Sequence, residues 1–221
     1  MGSHETEYCT VEVGDGVKLE TRLFKPISVK NEIVVVLVHQ YSVLGGCQGL
    51  MKGMAKKIAE KGYRSVTFDM RGAGKSTGKS SWTGSSEIHD VVCVCNWVSR
   101  YLSAQKILLV GSSAGAPIAG SAVDQVDQIE GYVSLGYPFG MLASILFGRH
   151  HKAILQSPKS KLFVMGTCDG FTSVKQLEEN LKMAAGRNEI HLIPGAGHFQ
   201  MEGPAYDQQM ADLIDKFAAT L

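Results

Sequence analysis

The chain has 221 residues, of which 44% are hydrophobic, and its formal net charge is +1. This length suffices for one sizeable core, and the near balance of basic and acidic residues argues against nucleic acid or an anionic membrane as a partner. No apolar run approaches the roughly 18 residues that span a bilayer, and no secretory signal is recognisable, so we expect no membrane association.

The cysteines favour a protein of the cytoplasm. The sequence contains five of them, scattered and without C-x-x-C spacing, which is typical of reduced thiols and predicts a cytoplasmic location. The first four residues resemble an expression scar and are left aside. The predicted single domain therefore covers residues 5–221.

The first elements predict a hairpin followed by a buried strand. Two segments, Tyr8–Val13 and Val17–Phe24, flank Gly14-Asp15-Gly16, and this pattern predicts an antiparallel hairpin. The segment Ile33–Val38 is a continuous β-branched apolar run, which is typical of a strand buried on both faces of a parallel sheet. Helical spacing follows over Gly49–Glu60.

The rest of the chain alternates strands with helices. Further strands are predicted at Tyr63–Asp69, Lys106–Gly111, Gly131–Leu135, Lys161–Gly166 and Glu189–Ile193. Further helices are predicted over Glu87–Leu102, from Ser113 onward, over Ser173–Ala185 and over Gly203–Leu221. A hairpin that leads into repeated strand–helix units predicts one three-layer α/β domain with a mostly parallel central sheet.

A serine between two glycines stands at one of these strand-to-helix turns. Residues Gly111-Ser112-Ser113-Ala114-Gly115 fit the pattern G-x-S-x-G, which in this context is typical of a nucleophile elbow. Small neighbours are needed because such a serine occupies a tight, strained turn. A simple Gly/Ser turn is the alternative interpretation, and the preceding strand and following helix favour the elbow. Ser113 is therefore the candidate nucleophile.

An elbow of this kind is followed along the chain by an acid and then by a histidine. Asp169 comes after the strand Lys161–Gly166, and His198 comes after the strand Glu189–Ile193. Loops at the carboxyl ends of parallel strands are where α/β sheets bind ligands, so the three residues should meet at one edge. A solvated loop aspartate and a surface histidine are the alternative interpretations.

These residue types suit acyl transfer. Ser113 becomes nucleophilic when His198 takes its proton, and Asp169 would hold the imidazole in the required tautomer. The oxyanion that forms needs donors fixed in advance, and the backbone N–H of Ala114, just after the nucleophile, is one. A second should come from the loop that follows Ile33–Val38.

Four motifs together resemble the α/β-hydrolase superfamily over almost the whole chain. They are the elbow, the Asp-x-Arg-Gly-x-Gly-x-Ser segment Asp69–Ser76, the loop Gly166–Asp169 and the loop Gly195–Phe199. The match is closest to small, nearly lidless members similar to dienelactone hydrolases and short-chain carboxylesterases. The resemblance implies an α/β-hydrolase fold with a minimal lid and makes Tyr41 the second oxyanion donor. Many members have His-Gly where this chain has His39-Gln40, and dienelactone hydrolases proper use a cysteine nucleophile.

Two weaker signals have structural interpretations. The segment Arg71–Thr77 invites comparison with a P-loop, but that pattern needs a glycine where Asp69 stands, so nucleotide binding is disfavoured. His39 is expected to be a hydrogen-bonded structural histidine. His150 and His151 lie in a stretch that we expect to be exposed, with both side chains solvated.

No metal site is predicted. Cys93 and Cys95 are two residues apart on a predicted helix and point in different directions, so they make a poor ligand pair. His89 and His191 have no companions at metal-ligand spacing. The apolar segment at 137–160 is interpreted either as a short flap that lines an acyl pocket or as an ordinary helix packed on the sheet.

The first functional hypothesis is a serine hydrolase that cleaves small carboxylic esters or thioesters through an acyl-enzyme on Ser113. It would act on a small-molecule ester or thioester without a cofactor, as a monomer or homodimer. A second hypothesis is a small-molecule binding or receptor protein that keeps the three residues but has little turnover. A third is a lyase, C–C hydrolase or acyltransferase that uses the same residues.

Overall fold

Buried β-branched residues build the centre of the sheet. The computed structural model describes residues 4–41, 45–140 and 150–221. The strand Ile33–Val38 has the predicted bounds, and every residue in it is buried. In chain order the strands are β1 (His4–Glu12), β2 (Lys18–Pro26), β3 (Ile33–Val38), β4 (Arg64–Phe68), β5 (Lys106–Ser112), β6 (Ile129–Leu135), β7 (Ser160–Gly166) and β8 (Asn188–Ile193).

The strands of the described residues form one eight-stranded sheet in the order β1-β2-β4-β3-β5-β6-β7-β8. β1 and β2 are antiparallel, and β2 is antiparallel to β4. The remaining neighbours pair in parallel. The turn of the hairpin contains Asp15 at a φ of 65°, and β1 begins at His4, which pairs with Pro26. The predicted α/β class, the mostly parallel sheet and the N-terminal hairpin are confirmed.

Helices cover both faces of the sheet and so complete three layers. They are α1 (Lys52–Glu60), α2 (Ser85–Tyr101), α3 (Gly115–Ala122), α4 (Val174–Leu181) and α5 (Asp207–Ala218). The apolar residues of α1 and α5 share one core with one face of the sheet, whereas those of α2, α3 and α4 share a second core with the other face. Across the described ranges, none of the helices combines the length and apolarity that crossing a membrane requires.

The helix ends differ from the predicted ones where a specific contact intervenes. The helix expected from Ser113 begins at Gly115 because Ser113 has left-handed backbone geometry. The helix expected from Ser173 begins one residue later, since the Ser173 side chain accepts a hydrogen bond from the Gln176 N–H and caps it. The last helix begins at Asp207, after turns that follow Gly203.

The prediction of solvated side chains at His150 and His151 is wrong. His150 bonds through its two ring nitrogens to the Ser121 hydroxyl, at 3.0 Å, and to the Thr83 carbonyl, at 2.6 Å. His151 Nδ1 lies 3.1 Å from the Tyr137 hydroxyl, and burial lowers the pKa of His151 to about 4. These partners come from distant parts of the chain, so the local sequence could not reveal them.

The apolar segment at 137–160 is described only in part. Tyr137 and Phe139 are buried, stack on each other with ring centroids 4.3 Å apart, and pack against Phe163 of β7. Residues 150–156 are helical. The choice between a flap and an ordinary helix for the middle of the segment falls on residues 141–149, which lie outside the described residues.

Candidate active site

The three candidate residues follow three strands at one edge of the sheet. Ser113 comes directly after β5, Asp169 follows β7, and His198 follows β8. Since β5, β6, β7 and β8 are successive neighbours, the carboxyl ends of these strands lie side by side. The fold therefore brings together residues that are 85 and 29 positions apart in the sequence.

Ser113 is held in an unfavourable backbone conformation. Its φ is 48°, in the left-handed region that costs a residue other than glycine about 1–3 kcal/mol unless the surroundings fix it. Here hydrogen bonds to the backbone of Ser113 fix this conformation on both sides of the residue. The Ser113 N–H donates to the Leu135 carbonyl at 2.8 Å, and the Ser113 carbonyl accepts from the Ala116 N–H at 2.9 Å.

Both glycines of the motif are required by close approaches. A Cβ on Gly111 would lie 2.7 Å from the Cα of Ala116, where α3 crosses the end of β5. A Cβ on Gly115 would lie 2.0 Å from the carbonyl oxygen of His39. The start of α3 is thus pressed against the loop that follows β3, and no side chain fits between them.

The candidate residues form an unbroken chain of hydrogen bonds. Ser113 Oγ lies 2.6 Å from His198 Nε2, and His198 Nδ1 lies 2.6 Å from Asp169 Oδ2. The side chain of Asp169 is completely buried and that of His198 is 4% exposed. When the proton of the imidazole is on Nδ1, that N–H donates to the carboxylate and Nε2 can accept a hydrogen bond from the Ser113 hydroxyl.

Asp169 is held as a carboxylate. Burial by itself would raise the pKa of Asp169, but the hydrogen bonds from His198 and from the backbone outweigh it, so the pKa lies below its ordinary value. The backbone donors are the N–H groups of Phe171, at 2.7 Å, and Thr172, at 3.0 Å, and both reach Oδ1. The second oxygen is left to orient the imidazole.

Backbone hydrogen bonds fasten the loop of Asp169 to the loop of His198. The N–H of Thr167 donates to the Ile193 carbonyl at 3.0 Å, and the N–H of Cys168 donates to the Ala196 carbonyl at 2.9 Å. The N–H of Gly195 donates to the Thr167 hydroxyl at 2.8 Å. These bonds fix the distance between acid and base independently of their own contact.

The predicted oxyanion donors lie on neighbouring segments. Ala114 is the N-cap residue of α3, so its N–H has no helical carbonyl partner one turn earlier. Tyr41 is 3% exposed and stands two residues after His39, the residue that touches Gly115. Residues 42–44 lie outside the described residues, and the role of both N–H groups stays a prediction.

His39 is a structural histidine, as predicted. It is buried, with Nδ1 2.5 Å from the Gln40 carbonyl and with Nε2 accepting the Met70 N–H at 3.0 Å. Burial lowers the pKa of His39 to about 4, although the bond to Gln40 acts in the opposite direction. The neutral ring thus ties the loop after β3 to the loop after β4.

The glycine-rich segment Asp69–Ser76 is built as a scaffold. Arg71 bonds to both carboxylate oxygens of the fully buried Asp90 through its Nε and Nη2 atoms. Asp69 accepts hydrogen bonds from the backbone and the side-chain amide of Gln48. Throughout the described ranges, no cluster of three or more His, Cys, Asp or Glu side chains is arranged to hold a metal ion.

Two features next to Ser113, His198 and Asp169 could not be predicted from the sequence. Glu202 accepts a hydrogen bond from the hydroxyl of Ser112, the residue before the candidate nucleophile. The exposed rings of Phe171 and Phe199 have centroids 4.4 Å and 5.0 Å from that of His198. The only local signal for Glu202 was its position one helical turn after His198.

Known proteins share this fold. A structure described as an alpha-beta serine hydrolase homologue from Coxiella burnetii is 24% identical, with a TM-score of 0.80 over 95% of this chain and 96% of that one. A serine hydrolase without a lid from Xanthomonas campestris is 20% identical, with a TM-score of 0.79 over 96% and 95% of the two chains. An esterase from Pyrococcus furiosus is 20% identical, with a TM-score of 0.77 over 99% and 93%.

Sequence comparisons give the family. An uncharacterized 31.7 kDa protein of Escherichia coli is 26% identical over 126 residues. The match covers 56% of this chain and 43% of that protein, so the chain spans less than half the length of this relative. A model of the alpha/beta hydrolase domain matches residues 34–221. The chain therefore belongs to the α/β-hydrolase family, as the motifs at its strand ends implied.

Proposed function

We propose that the protein is a serine hydrolase that cleaves small carboxylic esters or thioesters through an acyl-enzyme on Ser113. The observation that carries this proposal is the hydrogen-bonded chain from Ser113 through His198 to Asp169, with both contacts at 2.6 Å. Two structural neighbours are described as a serine hydrolase and an esterase, which supports the same reaction class.

In the first half of the reaction His198 Nε2 takes the proton of Ser113 while Oγ attacks the carbonyl carbon of the substrate. The carbonyl oxygen becomes an oxyanion, and the N–H groups of Ala114 and Tyr41 are proposed to stabilise it. When the tetrahedral intermediate collapses, the imidazolium gives its proton to the leaving alcohol or thiol. The acyl group remains on Oγ.

In the second half water replaces the leaving group. His198 takes one proton from a water molecule, and the hydroxide that forms attacks the acyl carbon. The new intermediate collapses, Oγ regains its proton from the imidazolium, and the carboxylic acid leaves. Asp169 keeps its charge throughout and stabilises the imidazolium in both halves.

The test combines active-site labelling with turnover. The protein is treated with a fluorophosphonate probe, the adduct is mapped by mass spectrometry, and hydrolysis of p-nitrophenyl acetate and of the matching acetyl thioester is followed. We expect one adduct, at Ser113, and a burst of p-nitrophenol. Ser113→Ala should lower kcat by about 10⁴- to 10⁶-fold. Ser99→Ala is the control, because the Ser99 hydroxyl donates to the Ala104 carbonyl at 3.2 Å, away from the candidate site.

The outcomes separate the remaining hypotheses. Folded protein that is neither labelled nor active would contradict the proposal and favour a binding protein, which a ligand-induced rise in melting temperature would then identify. Labelling at Ser113 with transfer of the acyl group to an added alcohol in preference to water would indicate an acyltransferase. Equal kcat for Ser113→Ala and the wild type would remove Ser113 from the mechanism.

A further inference from the structure

A second carboxyl group touches the candidate site without taking part in the chemistry above. Glu202 is the last residue of a 3-10 helix that begins at His198. Its Oε1 accepts a hydrogen bond from the Oγ of Ser112, which is only 1% exposed. A hydroxyl this buried needs a partner inside the protein. The bond joins the segment that carries the base to the turn that carries the nucleophile.

The hydrogen bond between Ser112 and Glu202 is independent of the proton transfers, whereas the direct contact between His198 and Ser113 is not. The hydrogen bond from Ser113 to His198 is broken whenever Oγ is acylated and His198 passes its proton onward. The bond from Ser112 to Glu202 takes no part in these proton transfers and persists through them. It therefore keeps the two segments in register in the intermediates, where the direct contact cannot.

Glu202 also brings charge close to the base. Burial raises the pKa of Glu202 above its ordinary value, while the bond from Ser112 and the neighbouring His198 act in the opposite direction. On its other side Glu202 lines a cleft of about 310 Å³. The charged groups that face this region are Asp169 beside His198, and Lys52, Lys56 and Asp207 around the cleft. Once ionised, Glu202 favours the imidazolium form of its neighbour.

We propose that Glu202 is a positioning residue of the active site. Through Ser112 it holds the segment of His198 in register with the nucleophile elbow, and its charge stabilises the imidazolium that forms when Ser113 gives up its proton. The inference rests on the proposed function, since it assigns a role relative to Ser113 as the nucleophile.

The experiment compares three variants of the full chain. Glu202→Gln keeps an acceptor for Ser112 and removes the charge, Ser112→Ala removes the bond and keeps the carboxyl, and Glu202→Ala removes both. The readouts are kcat, the pH profile of kcat/KM, the rate of fluorophosphonate labelling at Ser113 and the melting temperature. The matched control is Asp124→Asn, because Asp124 accepts a hydrogen bond from the buried Ser157 at 2.8 Å, outside the site.

We expect kcat to fall by about 10- to 100-fold in Glu202→Ala and to recover in part in Glu202→Gln. The acidic limb of the pH profile should move to lower pH in both, because the imidazolium loses a neighbouring charge. The melting temperature of Glu202→Gln, unlike its kcat, should not fall. A carboxyl whose pKa is raised by folding contributes stability below its unfolded pKa and loses it as pH rises, so Glu202→Gln should match or exceed the wild type at pH 8.

Three results would overturn the proposal, and they are distinguishable. If wild-type Ser113 is not labelled, the proposed function fails and this role fails with it. If Ser113 is labelled, but the pH limb does not move in Glu202→Gln and kcat in Ser112→Ala stays within twofold of the control, Glu202 has no role in positioning. A loss of kcat that parallels a loss of melting temperature in all three variants would mean a structural role alone.

Discussion

Replacement of Gly115 by alanine should separate catalysis from folding. The added Cβ would lie 2.0 Å from the His39 carbonyl oxygen and 2.8 Å from its carbon, whereas ordinary contacts begin at 3.4 Å. To bring the added Cβ to an ordinary distance of 3.4 Å from the His39 carbonyl oxygen, the loop after β3 and the start of α3 would have to separate by about 1.4 Å. These two segments carry the two proposed oxyanion donors, Tyr41 and Ala114.

Gly115→Ala should reduce the rate of the chemical step more severely than it reduces stability. Overpacking at a site of this kind destabilises by about 1–3 kcal/mol, which a domain of this size survives. Displacing an oxyanion donor by about 1 Å lowers kcat by about 10²-fold. KM should change much less, because the oxyanion exists only in the transition state and intermediate. Esterase kinetics and urea unfolding measure the two effects on the same protein.

A glycine on the same helix supplies the control. Gly120→Ala would place a Cβ 3.0 Å from the Cβ of Ile154, which is a side chain rather than backbone. Because Ile154 needs to move by only a few tenths of an ångström, this variant should change stability less than Gly115→Ala and keep its kcat. If Gly115→Ala retains kcat within twofold of Gly120→Ala, the contact between Gly115 and His39 does not set the spacing of the donors, and the argument from the close approach is wrong.

Three further predictions concern Asp169, an aromatic ring beside His198, and the buried ion pair of the scaffold segment. Asp169→Asn should lower kcat by about 10⁴-fold. The pKa of Asp169 is lowered by folding, so its carboxylate stabilises the fold above its unfolded pKa; the stability advantage over Asp169→Asn in urea unfolding should shrink below about pH 4. Phe199 is 60% exposed beside His198, which must protonate the leaving group, so Phe199→Ala should lower kcat/KM several-fold more for aryl than for ethyl esters. Equal losses would contradict this position. Asp90→Ala removes the buried partner of Arg71 and leaves its guanidinium the 3.4 Å ion pair with the exposed Asp15; this should cost about 3 kcal/mol by denaturant unfolding.

Sequence patterns were most informative where one local rule decides the structure. Ile33–Val38 was predicted with its observed bounds because a fully buried parallel strand is apolar at every position. The positions of Ser113, Asp169 and His198 followed from strand ends, and the strand order then brings them together. The helix begins at Gly115 and not at Ser113, because hydrophobic periodicity does not reveal a single left-handed φ.

Long-range partners explain what the sequence did not reveal. Ser112 and Glu202 are 90 residues apart, and neither residue type points to the other. His151 meets the hydroxyl of Tyr137, which lies two residues beyond the end of β6. From its neighbours in sequence alone a polar residue is predicted to be exposed to solvent, because its hydrogen-bond partner is known only from the tertiary fold.

Two features that lower stability lie at the edge of the sheet that carries the candidate site. The left-handed backbone of Ser113 and the burial of the Glu202 carboxyl each lower stability. The central strands, in contrast, favour stability, since β3 is apolar and buried at every position. A scaffold with that much buried apolar surface tolerates several strained or charged groups at its carboxyl edge. Variants that relieve the strain should therefore gain stability and lose turnover together, since the same geometry causes both.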